Sequence, residues 1–120
     1  MSKKTLVLGA SPNEARYSNM VIHRLRQQNI DVEAFGLRKG TVLDVAIDTE
    51  RKAYQDLDTV TLYVNPKNQK EYYDYIISLD PNRVIFNPGT ENAELISLLQ
   101  ENGIETEIAC TLVLLGMNQY

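Results

Sequence analysis

The sequence predicts an α/β fold, a three-layer, doubly wound parallel sheet of about five strands with helices on both faces. Short apolar, β-branched runs alternate with segments of helical periodicity along the 120 residues, a pattern typical of βαβ units. Short turns rich in Gly, Pro and Asn join them. With 43% hydrophobic and 23% charged residues, the composition is that of a globular protein, and we expect residues 1–120 to form one domain.

The first half of the chain predicts two strands around one helix. Residues 5–8 form an apolar strand that ends at a glycine, and residues 19–28 carry apolar side chains at helical spacing, with Ser18 as the expected N-cap. Residues 31–35 form the second strand. Residues 41–58 are the least regular: their first part allows a short strand, and their charged second part predicts a loop, an insertion or a lid.

In the second half of the chain, predicted strands and helices alternate more clearly. The predicted strands are residues 59–64, 83–86 and 104–108, and the predicted helices are residues 69–79, 92–101 and a short last one at 111–115. Asn68 and Glu71 resemble a capping box at the start of the first of these helices. In such a sheet, ligands bind outside the carboxyl ends of the strands, where the strand order reverses. The strand ends at residues 9–11, 35–39, 64–66 and 86–90 are therefore expected to line one rim.

The first strand-to-helix turn is a candidate anion site, because free N–H groups and the helix dipole favour negative charge there. It has one glycine, so it is not the three-glycine dinucleotide fingerprint. Ser11, Asn13, Arg16 and Ser18 are candidate donors to phosphate oxygens, with Arg16 able to bind in a bidentate manner. The alternative is a tight turn without a ligand.

The end of the second strand distinguishes between nucleotides. NAD-binding folds place a carboxylate there, whereas this chain has Arg38 and Lys39. Two cations suit a phosphorylated ribose, as in NADP or coenzyme A; the alternative is a basic surface turn. Residues 87–92 form a second polar turn, which is interpreted either as a contact to pyrophosphate or pantetheine or as plain helix capping.

Several classes of function are disfavoured. The net charge of −4 argues against a nucleic-acid binder, and no apolar run approaches a membrane span. The single cysteine, Cys110, excludes an internal disulfide and, without a signal-peptide core, favours a cytoplasmic protein. Cys110 is expected to be buried. His23 is the one histidine, so there is no zinc set and no nucleophile–base pair, and we expect no catalysis.

Four segments in order resemble the small bacterial CoA-binding proteins, which are Rossmann-like domains similar to the CoA-binding domain of the succinyl-CoA synthetase α subunit. These segments are residues 7–12 followed by 16–18, then 58–66, 84–92 and 103–111. The chain departs from the family at the end of the second strand, where many members have Asn-Pro and this chain has Gly36-Leu37-Arg38.

The resemblance implies coenzyme A or an acyl-CoA as the ligand. It implies that the pyrophosphate lies over the first turn, the 3′-phosphate near the end of the second strand, and the pantetheine beside the third and fourth strand ends. The implied binding residues are Gly9, Ala10, Ser11, Pro12, Asn13, Arg16, Tyr17, Ser18, Arg38, Lys39, Asn65, Pro66, Asn87, Pro88 and Gly89.

We therefore expect non-covalent binding of a nucleotide-bearing small molecule, in a monomer or a homo-oligomer. Two alternatives remain open at this point. One is an enzyme, either an NADP-linked oxidoreductase or a partner subunit of an acyl-CoA synthetase. The other is a protein-interaction module with a vestigial nucleotide site, whose surface would include the cluster Tyr72, Tyr73 and Tyr75.

Overall fold

A computed structural model describes residues 3–120. Its strands are β1 (Thr5–Ala10), β2 (Val32–Gly36), β3 (Gly40–Val42), β4 (Val45–Asp48), β5 (Thr59–Leu62), β6 (Arg83–Phe86) and β7 (Glu105–Ile108). Its helices are α1 (Tyr17–Gln27), α2 (Pro66–Gln69), α3 (Tyr73–Leu79), α4 (Ala93–Glu101) and α5 (Thr111–Gly116), with a 3₁₀ turn (Lys70–Tyr72) between α2 and α3.

All strands join one sheet in the order β3-β4-β2-β1-β5-β6-β7. Every pairing is parallel except that of β3 with β4. The doubly wound α/β fold is confirmed. The expected strand count was wrong, since the sheet has seven strands rather than about five.

The two extra strands come from the segment in which the sequence allowed one short strand. Gly40–Val42 and Val45–Asp48 form an antiparallel hairpin that adds an edge to the sheet beside β2. The hairpin turn was missed because it lacks the usual Asn-Gly or Asp-Gly signature. Leu43 takes the left-handed conformation there instead, with φ of 55°.

Residues 49–58, which we call the strap, connect β4 to the parallel strand β5 without a helix. Tyr54 and Leu57 bury their side chains in the core. The Tyr54 hydroxyl donates to Asp48 Oδ2 at 2.6 Å, and the Tyr75 hydroxyl donates to the Lys52 carbonyl at 2.5 Å. These contacts hold the strap against the sheet in the place of a crossover helix.

The sheet separates two hydrophobic cores, which gives the three expected layers. One core joins the sheet to the strap, to α3 and to α4 through side chains such as Leu57, Ile76 and Leu95. The other joins it to α1 and α5 through side chains such as Ile22 and Leu115. Helices on both faces leave the carboxyl ends of the strands open at the top of the sheet.

Two predicted helix starts were wrong. Helix α1 begins at Tyr17 with Arg16 at the N-cap position, and Ser18 is buried inside the helix. Asn65, rather than Asn68, caps the next helix, because its side chain accepts from the Asn68 N–H at 3.1 Å. The sequence Asn65-Pro66 therefore starts a helix directly after β5, as N-cap and N1 residues commonly do.

Candidate functional site

A cleft of about 770 Å³ lies at the carboxyl ends of β1, β2 and β5, where the strand order reverses. Its volume is within the usual range for small-molecule sites. Its walls come from the β1–α1 loop, the end of β2 and the segment after β5. The lining residues are Gly9, Ala10, Ser11, Pro12, Asn13, Arg16, Tyr17, Ser18, Phe35, Gly36, Leu37, Arg38, Tyr63, Val64, Asn65, Asn68, Glu71 and Tyr72.

Two glycines allow the strand ends below the cleft to approach one another. Gly9 has a φ of +99°, and a Cβ there would lie 2.9 Å from the backbone of Tyr63. A Cβ on Gly36 would lie 2.1 Å from the carbonyl oxygen of Ala10. The register of β1 against β2 shifts between Leu8 and Ala10. These glycines are therefore required by strand packing, and they shape the floor of the cleft.

The β1–α1 loop is folded by its own side chains. Ser11 Oγ accepts from the Asn13 N–H at 3.1 Å, and Asn13 Oδ1 accepts from the Ala15 N–H at 2.9 Å. The amide of the buried Asn19, in α1, donates to the Ser11 carbonyl at 3.0 Å. The loop is thus tied to the helix that follows it, and its conformation is set before any ligand arrives.

Helix α1 presents an uncapped N-terminus to this cleft. Within residues 3–120 no side chain caps it, its first turn has no acidic residue, and the N–H groups of Tyr17 and Ser18 have no hydrogen-bond partner. By contrast, Asn65 caps α2 and Asn92 caps α4. The first turn of α1 therefore keeps free donors and its positive dipole end for an anion.

The charges around the cleft are unevenly placed. Arg16 and Arg38 line it, both are exposed, and neither forms an ion pair with any other described residue. Glu71 lines the opposite wall and is paired with Arg51, with Arg51 Nη2 3.3 Å from Glu71 Oε2. The end formed by β1 and β2 thus has two uncompensated positive charges.

Apolar and aromatic side chains also line the cleft. Phe35 and Tyr72 pack edge to face, with ring centroids 5.9 Å apart, and both are buried, whereas Leu37 is 87% exposed. Tyr63 closes the floor, and burial raises the pKa of its phenol to about 12. The cleft therefore combines a cationic end, whose charge favours an anion, with an exposed apolar side chain, Leu37.

Most of the residues implied by the resemblance meet in this cleft: Gly9, Ala10, Ser11, Pro12, Asn13, Arg16, Tyr17, Ser18, Arg38 and Asn65. Lys39, Pro66, Asn87, Pro88 and Gly89 do not line it. Lys39, Pro88 and Gly89 are exposed outside it, and Pro66 is the first residue of α2.

Asn87 is buried and fully used within the protein. Its amide donates to Thr61 Oγ1 at 2.7 Å and to the Leu62 carbonyl at 3.0 Å, and its carbonyl accepts from the Thr111 N–H at 2.9 Å. This side chain joins the ends of β5 and β6 to the start of α5. Its contacts are those of a structural polar residue under the rim of the sheet.

Phe35, Gly36, Leu37 and Val64 lie at strand ends that the sequence places at the rim, and they line the cleft. The sequence analysis did not assign four further lining residues to the site, which all lie after β5: Tyr63, Asn68, Glu71 and Tyr72. Glu71 had been interpreted as part of a capping box. Tyr72 and Tyr73 are buried rather than exposed, which removes most of the surface considered for a protein partner.

Cys110 was expected to be buried, and the structure corrects this, since it is partly exposed at the N-cap position of α5. Cys110 stays partly exposed because it closely follows β7, which is an edge strand of the sheet. The residues described contain no cluster of three or more side chains suited to a metal. None of the helices within residues 3–120 has both the length and the apolarity needed to span a bilayer.

Known structures resemble this chain over almost its full length. A crystallised uncharacterized protein shares 50% identity with a TM-score of 0.97, covering 100% of this chain and 99% of its own. A hypothetical protein from Pyrococcus horikoshii OT3 shares 28% identity with a TM-score of 0.82, covering 93% and 80%. A Thermus thermophilus protein, at 20% identity and a TM-score of 0.86 with 99% and 91% covered, shares the fold.

No curated protein matches the chain. A family model described as a CoA binding domain matches residues 3–116, which include every element of the cleft. Because this match spans nearly the whole chain, the chain belongs to the CoA binding domain family.

Proposed function

We propose that residues 1–120 act as one domain that binds coenzyme A or an acyl-CoA non-covalently in the cleft at the carboxyl ends of β1, β2 and β5. The observation that carries the proposal is the uncapped N-terminus of α1 opening on a cleft with two unpaired arginines. Family membership supplies the ligand class.

The β1–α1 loop fits the pyrophosphate of such a ligand. The free N–H groups of Tyr17 and Ser18 and the hydroxyl of Ser11 supply donors, and Arg16 supplies a charge at the same place. Donors at a helix N-terminus bind phosphate oxygens without moving any side chain. In this proposal the loop is the phosphate-binding loop.

The end of β2 fits the phosphorylated ribose. Arg38 lines the cleft where a dinucleotide fold would place a carboxylate for unmodified ribose hydroxyls. Arginine binds phosphate through charge-assisted and often bidentate hydrogen bonds. We propose that Arg38 contacts the 3′-phosphate and that Lys39, exposed outside the cleft, adds long-range attraction.

We further propose that the chain binds without transforming its ligand. Among the described residues that line the cleft there is no cysteine and no histidine, and Glu71 is held by Arg51. The side chains that line the cleft are suited to hydrogen bonding and packing, and they do not form a nucleophile–base pair of the kind that acyl transfer requires.

The test is calorimetric titration of the purified protein with CoA, dephospho-CoA, NADP and NAD in parallel. The proposal expects binding of CoA and a clear loss on removal of the 3′-phosphate, with Arg38→Ala abolishing the difference between CoA and dephospho-CoA. Binding of NADP in preference to CoA would instead support an oxidoreductase. Binding of none of the four would refute the proposal.

A further inference from the structure

The segment of residues 36–40 is held against the β1–α1 loop at both of its ends. At the first end, a Cβ on Gly36 would approach the carbonyl oxygen of Ala10 to 2.1 Å. At the second end, a Cβ on Gly40 would lie 2.7 Å from Pro12 Cβ and 3.3 Å from Pro12 Cγ. A glycine therefore closes each end of the segment on the loop, and the cations of the β2 end lie between the two contacts.

Gly40 owes its place to this contact rather than to its backbone conformation. The glycines with a positive φ in the described part of the chain are Gly9, Gly89 and Gly103, so the φ of Gly40 is one that other residues also adopt. Gly40 does not line the cleft. What the position requires is the absence of a side chain, because the Pro12 ring occupies the space that a Cβ would need.

Of the two surfaces that meet at this contact, the one on the Pro12 side is the firmer. Ser11 Oγ and Asn13 Oδ1 each accept a backbone N–H of the loop, at 3.1 and 2.9 Å, and the buried Asn19 holds the Ser11 carbonyl. Gly40 instead begins β3, an edge strand of 3 residues that pairs with β4 alone. A side chain at Gly40 would therefore displace the segment and leave the loop in place.

This displacement would fall on Arg38. Carbon atoms pack no closer than about 3.5 Å, so a Cβ on Gly40 would push the segment away from Pro12 by roughly 1 Å. The first end cannot take up the movement, because Gly36 already lies against the Ala10 carbonyl. The backbone of residues 37–39 must move instead, and the bidentate geometry of an arginine on a phosphate depends on where that backbone lies.

We infer that Gly40 is a positioning residue, whose contact with Pro12 sets the separation between Arg38 and the β1–α1 loop. The cleft is thereby matched to a ligand that carries two phosphate groups at one fixed spacing. The inference rests on the proposed function, in which Arg38 binds the 3′-phosphate and the loop binds the pyrophosphate. Two segments that are distant in the sequence then act as one rigid receptor.

The test compares the affinities of CoA and dephospho-CoA, which differ in the 3′-phosphate, by calorimetric titration. The wild-type protein should prefer CoA by at least about tenfold, as expected for a charge-assisted hydrogen bond. Gly40→Ala should bind dephospho-CoA as the wild type does and lose most of the preference for CoA. In Pro12→Gly the ring is gone, so adding Gly40→Ala to that variant should reduce its preference no further.

Thr41→Ala is the matched control, since Thr41 is exposed in the same strand and does not line the cleft. It weakens the hairpin without pressing on Pro12, so it should keep the wild-type preference. Urea titration of every variant shows whether the protein being titrated with ligand is folded.

A merely structural role of Gly40 would lower the free energy of unfolding of Gly40→Ala and leave its preference for CoA unchanged. That result would overturn the inference while the proposed function stands. Equal loss of preference with and without the Pro12 ring would overturn it too, as would equal binding of CoA and dephospho-CoA by the wild type. If the wild-type protein binds no CoA, the proposed function fails and the inference fails with it.

Discussion

Gly36→Ala should destabilise the protein strongly, because the new Cβ would lie 2.1 Å from the Ala10 carbonyl oxygen and 3.0 Å from its carbon. A comfortable carbon–oxygen contact is about 3.3 Å, so β1 and β2 would have to separate by roughly 1 Å. No side chain can rotate away, since both contacting atoms belong to the backbone of paired strands.

Overpacking a tight core costs about 1–3 kcal/mol, and this contact falls at the upper end because the neighbour is backbone. The expected loss in the free energy of unfolding is about 3 kcal/mol, which lowers the Tm of a chain of this size by about 10–15 °C. Because Ala10 and Gly36 both line the cleft, CoA affinity should fall as well, even at a temperature where the variant is folded.

The matched control is Gly116→Ala. A Cβ there meets nothing within 4 Å, and Gly116 is the last residue of α5, so the substitution should be neutral or stabilise by up to about 1 kcal/mol. Urea titration of both variants measures the difference. A Gly36→Ala variant within about 1 kcal/mol of the wild type would refute the reasoning, since that is the lower limit of the overpacking cost.

Three further predictions concern the site and its support. Arg16→Ala should weaken CoA binding by about 1–3 kcal/mol in calorimetry, whereas Arg24→Ala, exposed on α1 outside the cleft, should not; equal losses would remove Arg16 from the site. Asn87→Leu leaves buried partners unsatisfied and should lower the free energy of unfolding by about 2–3 kcal/mol; an unchanged urea midpoint would contradict this. Burial raises the pKa of Tyr63 and of Tyr75 to about 12, from 10.0. Their protonated forms therefore stabilise the fold below pH 10, and this contribution is lost as the pH rises from 10 to 12. Phenolate absorbance should show a late tyrosine titration, and a single step near pH 10 in folded protein would disprove it.

The alternating elements could be predicted from the sequence because each has its own local signal. Three apolar residues, 6–8, directly precede Gly9, and Leu95 and Leu99 keep helical spacing; all five are buried as expected. The hairpin at β3 and β4 could not be predicted, since Leu43 occupies a turn position normally held by glycine or asparagine. Its conformation is set by tertiary pairing with β2 rather than by local sequence.

Site residues could be predicted where a charged side chain closely follows a strand. They were harder to predict where a side chain is held by a contact with a distant part of the chain. Arg16 and Arg38 could be assigned to the rim from position alone. Glu71 could not, because its position is fixed by Arg51, 20 residues away in a segment without regular structure. Likewise, serine is a common N-cap residue, but Ser18 lies inside α1 and is buried, so it does not cap the helix.

The strap takes the place of a crossover helix, and it is a segment of low local stability beside the cleft. No backbone N–H of residues 50–57 donates to a backbone carbonyl within residues 3–120, so its amide protons exchange with solvent without global unfolding. Arg51 ties this segment to the cleft wall through Glu71. Ordering of the cleft wall and opening of the strap are therefore thermodynamically linked, and whatever fixes Glu71 also slows exchange in the strap.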